Sequence, residues 1–199
     1  MIKNLEGVKS VRNFLIKMLY EEFNNKIKFE LKEELGIKNI LAVPKPIKAV
    51  VNIGIGKLIN QNPDNKDKII EEALYALARI TGQRGMVVKA RKSIAGFKLK
   101  KGMPVAVLVT LRKKRLFDFI ERLVTYYLPR YRDFKGIQKN NLDNKGNLNL
   151  GFKEISIFPE AISDKIKHNF GLQITIVTNS NNKNENIILW KKLGFPVKI

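Results

Sequence analysis

The sequence predicts an α+β fold, in which about five strands form a sheet, helices cover one face, and the other face stays free for a ligand. Short runs rich in Val, Ile and Leu are interrupted by polar residues, which is typical of half-buried strands. Between these runs, apolar residues recur at helical spacing, and the connections differ in length. Strands and helices joined by such unequal connections are typical of α+β proteins.

The pattern of apolar residues in the first 35 positions predicts helical structure. Residues 1–19 form a basic amphipathic extension, and a second apolar stripe then runs up to Gly36, where the helix should stop. An organellar transit peptide would share the basic amphipathic character, but Glu21 and Glu22 argue against one. We therefore predict two parts, an N-terminal helical extension (residues 1–19) and a single domain (residues 20–199). The second stripe consists of Tyr20, Phe23, Ile27, Leu31 and Leu35.

Pro44 and Pro46 break the chain after the predicted N-terminal helix, and the first predicted strand follows them. Asp64 is a candidate N-cap for the helix that comes after this strand. The predicted elements are, in order, a strand at 48–53, a helix after Asp64 that ends at Gly82, strands at 86–90 and 105–111, a helix at 116–127, strands at 152–158 and 172–178, and a helix at 184–193.

Two glycine-containing segments resemble ligand-binding motifs but fit simple turns better. A dinucleotide fingerprint starting at Gly54 and Gly56 would need a third glycine where Ile59 stands, and no helix is predicted to begin directly after Gly56. Residues 143–147 lack the spacing of Asp, Asn and Gly that a calcium loop requires. We interpret the first segment as a turn leaving a strand and the second as a hairpin turn.

The charge of the chain points to a polyanionic partner. The 199 residues include 38 Lys and Arg but only 18 Asp and Glu, a net charge of +20. Nucleic acid is the first candidate and an anionic membrane the second. From residue 73 to residue 117 there is no acidic residue, which indicates a polyphosphate-binding surface rather than scattered surface lysines. This acid-free block contains Arg79, Arg84, Lys89, Arg91, Lys92, Lys98, Lys100, Lys101, Arg112, Lys113, Lys114 and Arg115.

The centre of this block is a basic loop, residues 90–102, between two predicted strands. Gly96 and Gly102 supply bends, and Phe97 stands among the cations. An exposed Phe is unfavourable there, so its ring is expected either to pack back or to stack on a ribose or base. We predict that this loop becomes ordered on an RNA backbone; the alternative is a loop that is merely mobile.

The composition argues against catalysis and metal binding. The chain has no Cys and one His, so thiolate zinc sites and multi-His clusters are excluded. His168 lies in a polar segment and is expected to have a surface or phosphate-facing role. An RNA-processing enzyme, the alternative from another class, would need carboxylates that the basic block lacks. A membrane-surface protein would concentrate its cations on one helix, whereas here they fall mainly on strands and loops.

A series of motifs, from about residue 20 to the C-terminus, resembles bacterial-type large-subunit ribosomal protein five. The motifs are, in order, Ala42-Val43-Pro44, Val51-Asn52-Ile53-Gly54-Ile55-Gly56, Thr81-Gly82-Gln83, Lys89-Ala90-Arg91-Lys92-Ser93-Ile94-Ala95-Gly96-Phe97-Lys98, Val109-Thr110-Leu111-Arg112, Pro129-Arg130-Tyr131-Arg132-Asp133-Phe134-Lys135-Gly136, Gly146-Asn147, Ile157-Phe158-Pro159-Glu160 and Ile174-Thr175-Ile176-Val177-Thr178.

The resemblance implies a curved antiparallel sheet with helices on one side, and a structural, non-enzymatic role without cofactors. The partners that it implies are 5S rRNA, large-subunit rRNA in the central protuberance, P-site tRNA, a small-subunit head protein across an intersubunit bridge, and neighbouring proteins of the protuberance. A membrane is not among them. The implied location is the ribosome, in the cytoplasm or in an organelle.

Carried over by motif, the resemblance also implies two sets of RNA-contacting residues. The 5S rRNA-binding set is Asn52, Gln83, Thr110, Arg112, Arg130 and Arg132. The P-site tRNA set in the basic loop is Arg91, Lys92, Ser93, Gly96, Phe97, Lys98, Lys100 and Lys101. The family usually has Arg where this chain has Lys135, a change that would replace a bidentate phosphate contact by a monodentate one.

Overall fold

The computed structural model of the protein describes residues 19–132 and 134–198. The strands are β1 (Pro46–Gly54), β2 (Met86–Lys89), β3 (Pro104–Arg112), β4 (Leu148–Phe152) and β5 (Leu172–Thr178). They form one sheet in the order β2-β3-β1-β5-β4, and every neighbouring pair is antiparallel. The predicted α+β fold, with five strands and helices packed on the sheet, is confirmed.

In the described part of the chain, five helices accompany the sheet, and two of them contain π-helical segments that the sequence did not predict. None of the helices in the described part of the chain is long and apolar enough to cross a membrane. The helices are α1 (Leu19–Glu22, π-helical Phe23–Ile27 and Lys28–Glu34), α2 (Gly56–Gln61), α3 (Lys66–Thr81), α4 (Lys113–Arg122, π-helical Leu123–Tyr127 and Leu128–Arg130) and α5 (Lys183–Lys192).

The alternation of side chains along the strands gives the sheet one buried and one open face. In β1, Ala49, Val51 and Ile53 are fully buried, whereas Val50 and Asn52, between them, are partly exposed. β3 follows the same pattern with Val107, Val109 and Leu111 buried. Helices α3 and α4 pack against the buried side of these central strands. The opposite side, which we call the open face, remains accessible.

Helix α3 shows why the covered face packs closely. Its buried stripe includes Ala73 and Ala76, whose small side chains bring the helix axis near the sheet. The helix ends at Gly82, whose φ of +67° belongs to the left-handed region that favours glycine. Three residues later, a Cβ on Gly85 would lie 2.9 Å from Val107 Cγ1, so the turn into β2 passes directly over β3.

The apolar stripe of α1 is confirmed at its three central residues, whereas Tyr20 is exposed and Leu35 is partly buried. Phe23, Ile27 and Leu31 are buried, and the Phe23 ring lies 5.1 Å from that of Phe117 in α4. The chain leaves the helix at Gly36, where φ is +63°. Residues 1–18, almost the whole predicted extension, lie outside the described residues, so the proposed division of the chain stays a prediction.

The strand predicted at residues 152–158 is wrong. The observed strand β4 ends at Phe152, and Ile155–Ile157 forms a 3₁₀ turn. The buried side chains explain the difference, because Ile155 and Phe158 are three residues apart, which matches a 3₁₀ repeat rather than strand alternation. The alternation lies one element earlier, in a segment with buried side chains at Leu148, Leu150 and Phe152.

Two expectations around the first glycine turn are also wrong. A helix, α2, does begin at Gly56, and the buried side chains of Ile55 and Ile59 hold it at helical spacing. Six residues are too few to produce a recognisable stripe. The dinucleotide fingerprint still fails, because the buried Ile59 side chain stands where the third glycine would be. Asp64 lies inside a 3₁₀ turn and is not the N-cap of α3, a position that belongs to Asn65.

The turn predicted at residues 143–147 is confirmed, and it also anchors the C-terminal helix. The Asp143 carboxylate accepts hydrogen bonds from the backbone N–H groups of Lys145 and Asn147. Gly146, with φ of +80°, offers its carbonyl to Trp190 Nε1 of α5 at 3.0 Å. This turn therefore places α5 beside the strand pair β4–β5.

Candidate nucleic-acid interface

The centre of the open face is polar but uncharged. Asn52 in β1 lies opposite Leu108 in β3 on one side and opposite Gln173 in β5 on the other. Thr110 is two residues beyond Leu108 and pairs with Val50. Since side chains two residues apart in a strand share a face, Asn52 and Thr110 are diagonal neighbours on the same surface.

Gln83 joins this cluster from the turn after α3. Its Nε2 donates to the Thr110 carbonyl oxygen at 3.4 Å, and its Oε1 accepts from Arg115 Nη1 at 3.2 Å. The Thr81 hydroxyl lies 2.7 Å from the Leu77 carbonyl and 3.1 Å from that of Gln83, which fixes the turn. Gln83 thus contacts the backbone of Thr110, which is the diagonal neighbour of Asn52 on the open face.

A cationic rim borders the cluster where β3 meets α4. Arg112 is exposed at the end of β3 and pairs with Lys48 of β1. The first turn of α4 then carries Lys113, Lys114 and Arg115 and no acidic residue. Cations are unfavourable at a helix N-terminus, so this arrangement costs stability unless an anion neutralises it. Within residues 19–132 and 134–198, none of the five cations takes part in a salt bridge.

Arg130 and Arg132 do not join the cluster. They lie at the other end of α4 and line a groove of about 530 Å³ with Lys153 and Ile162. Tyr131, between the two arginines, packs its ring 5.3 Å from Phe152 at the β4 edge. Of the six residues assigned to 5S rRNA, four therefore lie on or beside the open face, and these two occupy a separate groove.

The sequence reasoning missed the half of the open face that β5 and β4 provide. Gln173 is exposed directly opposite Asn52, and Thr175 pairs with Val50 on one side and with Asn149 on the other. The Thr175 hydroxyl and Asn149 Oδ1 are 2.8 Å apart. Alternation within β5 was a sufficient signal for Gln173 and Thr175. Asn149 could not be found, because its strand was predicted at the wrong residues.

The sheet contains no carboxylate. None of the five strands has an Asp or Glu, whereas Lys48, Lys89 and Arg112 are cations. Nor does any group of three or more His, Asp or Glu among the described residues have the geometry to hold a metal ion. The open face thus offers neutral donors and acceptors beside cations, without an anion to repel a phosphate.

The basic loop is a compact hairpin rather than an open excursion. At its base, the Ala90 N–H donates to the Met103 carbonyl at 2.7 Å, and Gly102 donates to the Ala90 carbonyl at 2.9 Å. Further out, Ile94 and Leu99 exchange backbone hydrogen bonds of 3.0 and 3.1 Å. Gly102 has φ of +87°, as expected of a bend, whereas Gly96 lies within a 3₁₀ turn.

The charged side chains of the basic loop extend into solvent. Its five cations, Arg91, Lys92, Lys98, Lys100 and Lys101, are exposed, and no salt bridge within the described parts of the chain involves them. The Phe97 side chain is 70% exposed, so it does not pack back on the core. Ser93 supports the hairpin instead of pointing outward, since its Oγ accepts the Lys101 N–H at 2.9 Å.

The single histidine has a carboxylate partner. His168 Nδ1 lies 2.8 Å from Glu72 Oε2, which also accepts the backbone N–H groups of Lys167 and His168. Burial alone would raise the pKa of Glu72, but these hydrogen bonds outweigh it and hold the pKa below its usual range. The contact fastens the segment before β5 to α3, on the covered side of the sheet.

A strongly basic α+β domain with an acid-free sheet surface fits the class of ribosomal proteins, and comparison with known families agrees. A family model described as ribosomal protein L5 matches residues 39–100, and a model for the C-terminus of the ribosomal L5P family matches residues 104–197. This chain belongs to the ribosomal protein L5 family. The resemblance seen in its motifs is confirmed.

The relatives match almost end to end. The large ribosomal subunit protein uL5 of Geobacter sulfurreducens is 45% identical over 180 residues, which is 90% of this chain and 98% of the relative. The uL5 protein of Citrifermentans bemidjiense is 47% identical over the same shares. The uL5c protein of Cyanidium caldarium is 45% identical over 87% of this chain and 93% of its own length.

Proposed function

We propose that this protein is a structural component of the large ribosomal subunit, which binds 5S rRNA and helps attach it to the large-subunit rRNA of the central protuberance. The observation that carries the proposal is the acid-free open face, where Asn52, Gln83 and Thr110 lie together beside the cationic rim. Family membership supports the ribosomal setting, in a bacterial cytoplasm or an organelle. The role is structural rather than catalytic.

The open face suits RNA because one set of residues attracts the phosphates and another set contacts the bases and sugars. Arg112 and its neighbours on the rim attract phosphates, which supplies affinity without sequence information. The neutral amides and hydroxyls of Asn52, Thr110 and Gln173 then meet ribose hydroxyls and base edges, which the wide, shallow minor groove of an RNA helix displays. A broad, nearly uncharged sheet surface matches such a groove better than a narrow cleft would.

Two further surfaces serve other partners in this proposal. The basic loop contacts P-site tRNA, a role supported by its position at the edge of the molecule and by five cations without partners among the described residues. The groove with Arg130 and Arg132 contacts a different stretch of ribosomal RNA from the open face, since the structure separates the two sites. Contacts with a small-subunit head protein and with proteins of the protuberance follow from the family resemblance.

Equilibrium binding of purified protein to 5S rRNA tests the main proposal. Gln83→Ala should weaken binding by about 1–3 kcal/mol, because it leaves an RNA group unpaired. Thr110→Val, which replaces only the hydroxyl, should act in the same direction. Asn25→Ala is the matched control, because it removes an exposed amide from α1 on the covered side of the sheet.

The same preparation distinguishes the alternatives. Wild-type protein should co-sediment with large subunits and bind 5S rRNA in preference to vesicles of anionic lipid. Equal binding to vesicles, or unchanged 5S affinity in Asn52→Ala, Gln83→Ala and Thr110→Val alike, would contradict the proposal.

A further inference from the structure

A cavity of about 680 Å³ lies between the basic loop and α2, at the end of β1. Its volume is within the range usual for small-ligand sites. Two elements that are distant in sequence supply its walls. The wall side chains are Lys57, Asn60 and Gln61 from α2 and Phe97, Lys98 and Leu99 from the basic loop.

The two walls are joined to each other. Asn60 Nδ2 donates to the Phe97 carbonyl oxygen at 3.3 Å, which ties the tip of the loop to the helix. On the loop side, the Ile94–Leu99 pair closes the hairpin, and Lys98 takes a left-handed conformation with φ of +51°. The cavity is therefore part of the folded hairpin, held by hydrogen bonds on both sides.

Two glycines line the cavity beside Val105. Gly54, at the end of β1, has no heavy atom within 4 Å of the place where a Cβ would stand, and its φ is not positive. Gly56 would place a Cβ 3.6 Å from the backbone of Val105, an ordinary contact. Neither close packing nor a positive φ requires glycine at these two positions. Because neither residue has a side chain, the cavity stays open.

The walls combine three kinds of chemistry. Phe97 presents an aromatic ring that is 70% exposed, and Asn60 and Gln61 provide amides. Lys57 and Lys98 supply ammonium groups, with no acidic residue in the walls and no salt bridge to either lysine among residues 19–132 and 134–198. A nucleotide uses all three, since its base stacks on a ring, its base edge pairs with amides, and its phosphate meets cations.

An acidic peptide is the competing occupant. It would neutralise Lys57 and Lys98 but would leave the Phe97 ring and both amides without a matching group. The combination of ring, amides and cations therefore favours a nucleotide over a carboxylate-bearing chain.

We propose that this cavity, the α2–loop pocket, holds one unstacked nucleotide of an RNA, with the base on the Phe97 ring and the phosphate between Lys57 and Lys98. The inference rests on the proposed RNA contact of the basic loop and deepens it. It makes α2 part of the RNA-binding surface and gives the loop a recognition element in addition to its charge.

A single-stranded RNA hexamer with one 2-aminopurine between two abasic positions provides the test, since this base has no neighbour to stack on in the free RNA and its fluorescence is quenched when it stacks on an aromatic ring. Full-length wild-type protein should quench it on binding. Phe97→Leu should weaken hexamer binding about tenfold and abolish the quenching, because stacking on an aromatic side chain contributes strongly to affinity. Phe97→Tyr should restore both. Phe29→Leu is the matched control, an exposed Phe of α1 on the covered side.

A second variant fills the pocket without touching its walls. Gly54→Leu places a side chain in space that is empty in the structure, so the fold should survive while hexamer binding falls as in Phe97→Leu. Wild-type quenching in both Phe97→Leu and Gly54→Leu would overturn the proposal. The proposal would also be overturned if an acidic peptide displaced the hexamer as effectively as unlabelled RNA does.

These experiments test the proposed pocket and the proposed 5S rRNA site independently of each other. Phe97→Leu should leave 5S affinity unchanged, and Gln83→Ala should leave the quenching unchanged. Loss of quenching only in Gln83→Ala would assign the stacked base to the open face and overturn the pocket.

Discussion

The open face and the basic loop are both free of acidic residues, yet they are built in opposite ways. On the open face, each residue such as Asn52 is fixed by two neighbouring strands and by a buried residue on either side of it in the chain. In the basic loop, backbone hydrogen bonds maintain a hairpin whose charged side chains all extend into solvent. The face holds neutral polar groups at fixed positions and carries little charge, whereas the loop carries many charges on side chains that extend into solvent.

This difference indicates which interaction each region can perform. Hydrogen bonds to bases and sugars need donors held at fixed positions, and a sheet in register provides them. Attraction to phosphates tolerates side-chain motion and carries no sequence information. A contact that must accept one tRNA after another suits the loop, whereas a permanent contact with a single RNA suits the face.

The largest expected effect is the salt dependence of 5S rRNA binding, which distinguishes contacts with phosphates from contacts with bases and sugars. If about six phosphates are neutralised, the slope of log K against log[salt] for 5S rRNA should be about −4 to −5, or a loss of about 250- to 1,000-fold between 50 and 200 mM. Arg112→Ala should make the slope about one unit less steep, whereas Gln83→Ala should lower affinity at an unchanged slope. A slope near zero would refute the electrostatic interpretation of the rim.

The next effect tests the loop alone. Replacing residues 93–101 by a Gly-Ser linker should accelerate dissociation of P-site tRNA from reconstituted ribosomes about tenfold, because three cations and the Phe97 ring are removed. Binding to 5S rRNA and incorporation into subunits should be retained, since the open face is untouched. If this variant lost 5S binding and its tRNA off-rate did not change, the basic loop would be assigned to 5S rRNA instead of tRNA.

A smaller effect tests whether the half of the open face formed by β5 and β4 also binds 5S rRNA. Gln173→Ala removes the amide opposite Asn52 and should weaken 5S binding about fivefold, the cost of about one unpaired hydrogen-bonding group. Gln138→Ala, which removes an exposed amide outside the sheet, serves as a control. Unchanged affinity in Gln173→Ala would restrict the interface to β1 and β3.

The smallest effect concerns stability on the covered side, away from both regions. Hydrogen bonds lower the pKa of Glu72 in the folded state, so the contact stabilises the fold above the ordinary Glu pKa of 4.5, and this contribution is lost as pH falls through the lower folded value. Glu72→Gln should therefore cost about 1 kcal/mol of unfolding free energy at pH 7 and less at pH 3. Urea denaturation at the two pH values measures it, and 5S binding at pH 7 should not change. An equal cost at both pH values would contradict the assigned role of the carboxylate charge.

Much of the fold follows from patterns that a single segment contains. The strands β1, β3 and β5 and the helices α1 and α3 each carry their own alternation or stripe, so local sequence predicts them. β4 does not, because Asn149 and Gly151 are poor strand formers and the neighbouring segment at 152–158 has the stronger apolar pattern. Pairing with β5, a long-range contact, decides in favour of residues 148–152.

The candidate site divides in the same way. The acid-free block and its basic loop are visible in the order of the residues, as charge requires no knowledge of the fold. That Gln173 lies opposite Asn52, or that α2 forms a wall with Phe97, depends on strand order and on the path of the loop. Neither relation can be obtained from spacing, since the partners are separated by 121 and by about 40 positions in the chain.

The lengths of the strands have a consequence for the protein before it meets RNA. The central strands β1 and β3 have nine residues each, whereas the edge strands β2 and β4 have four and five. A long, flat edge would offer unpaired backbone groups to another copy and promote aggregation. Two short edges, one ending in Lys89 and the other interrupted by Gly151, offer little such template. These short edges, and the mutual repulsion of molecules that each carry a charge of +20, both disfavour association between copies of the chain.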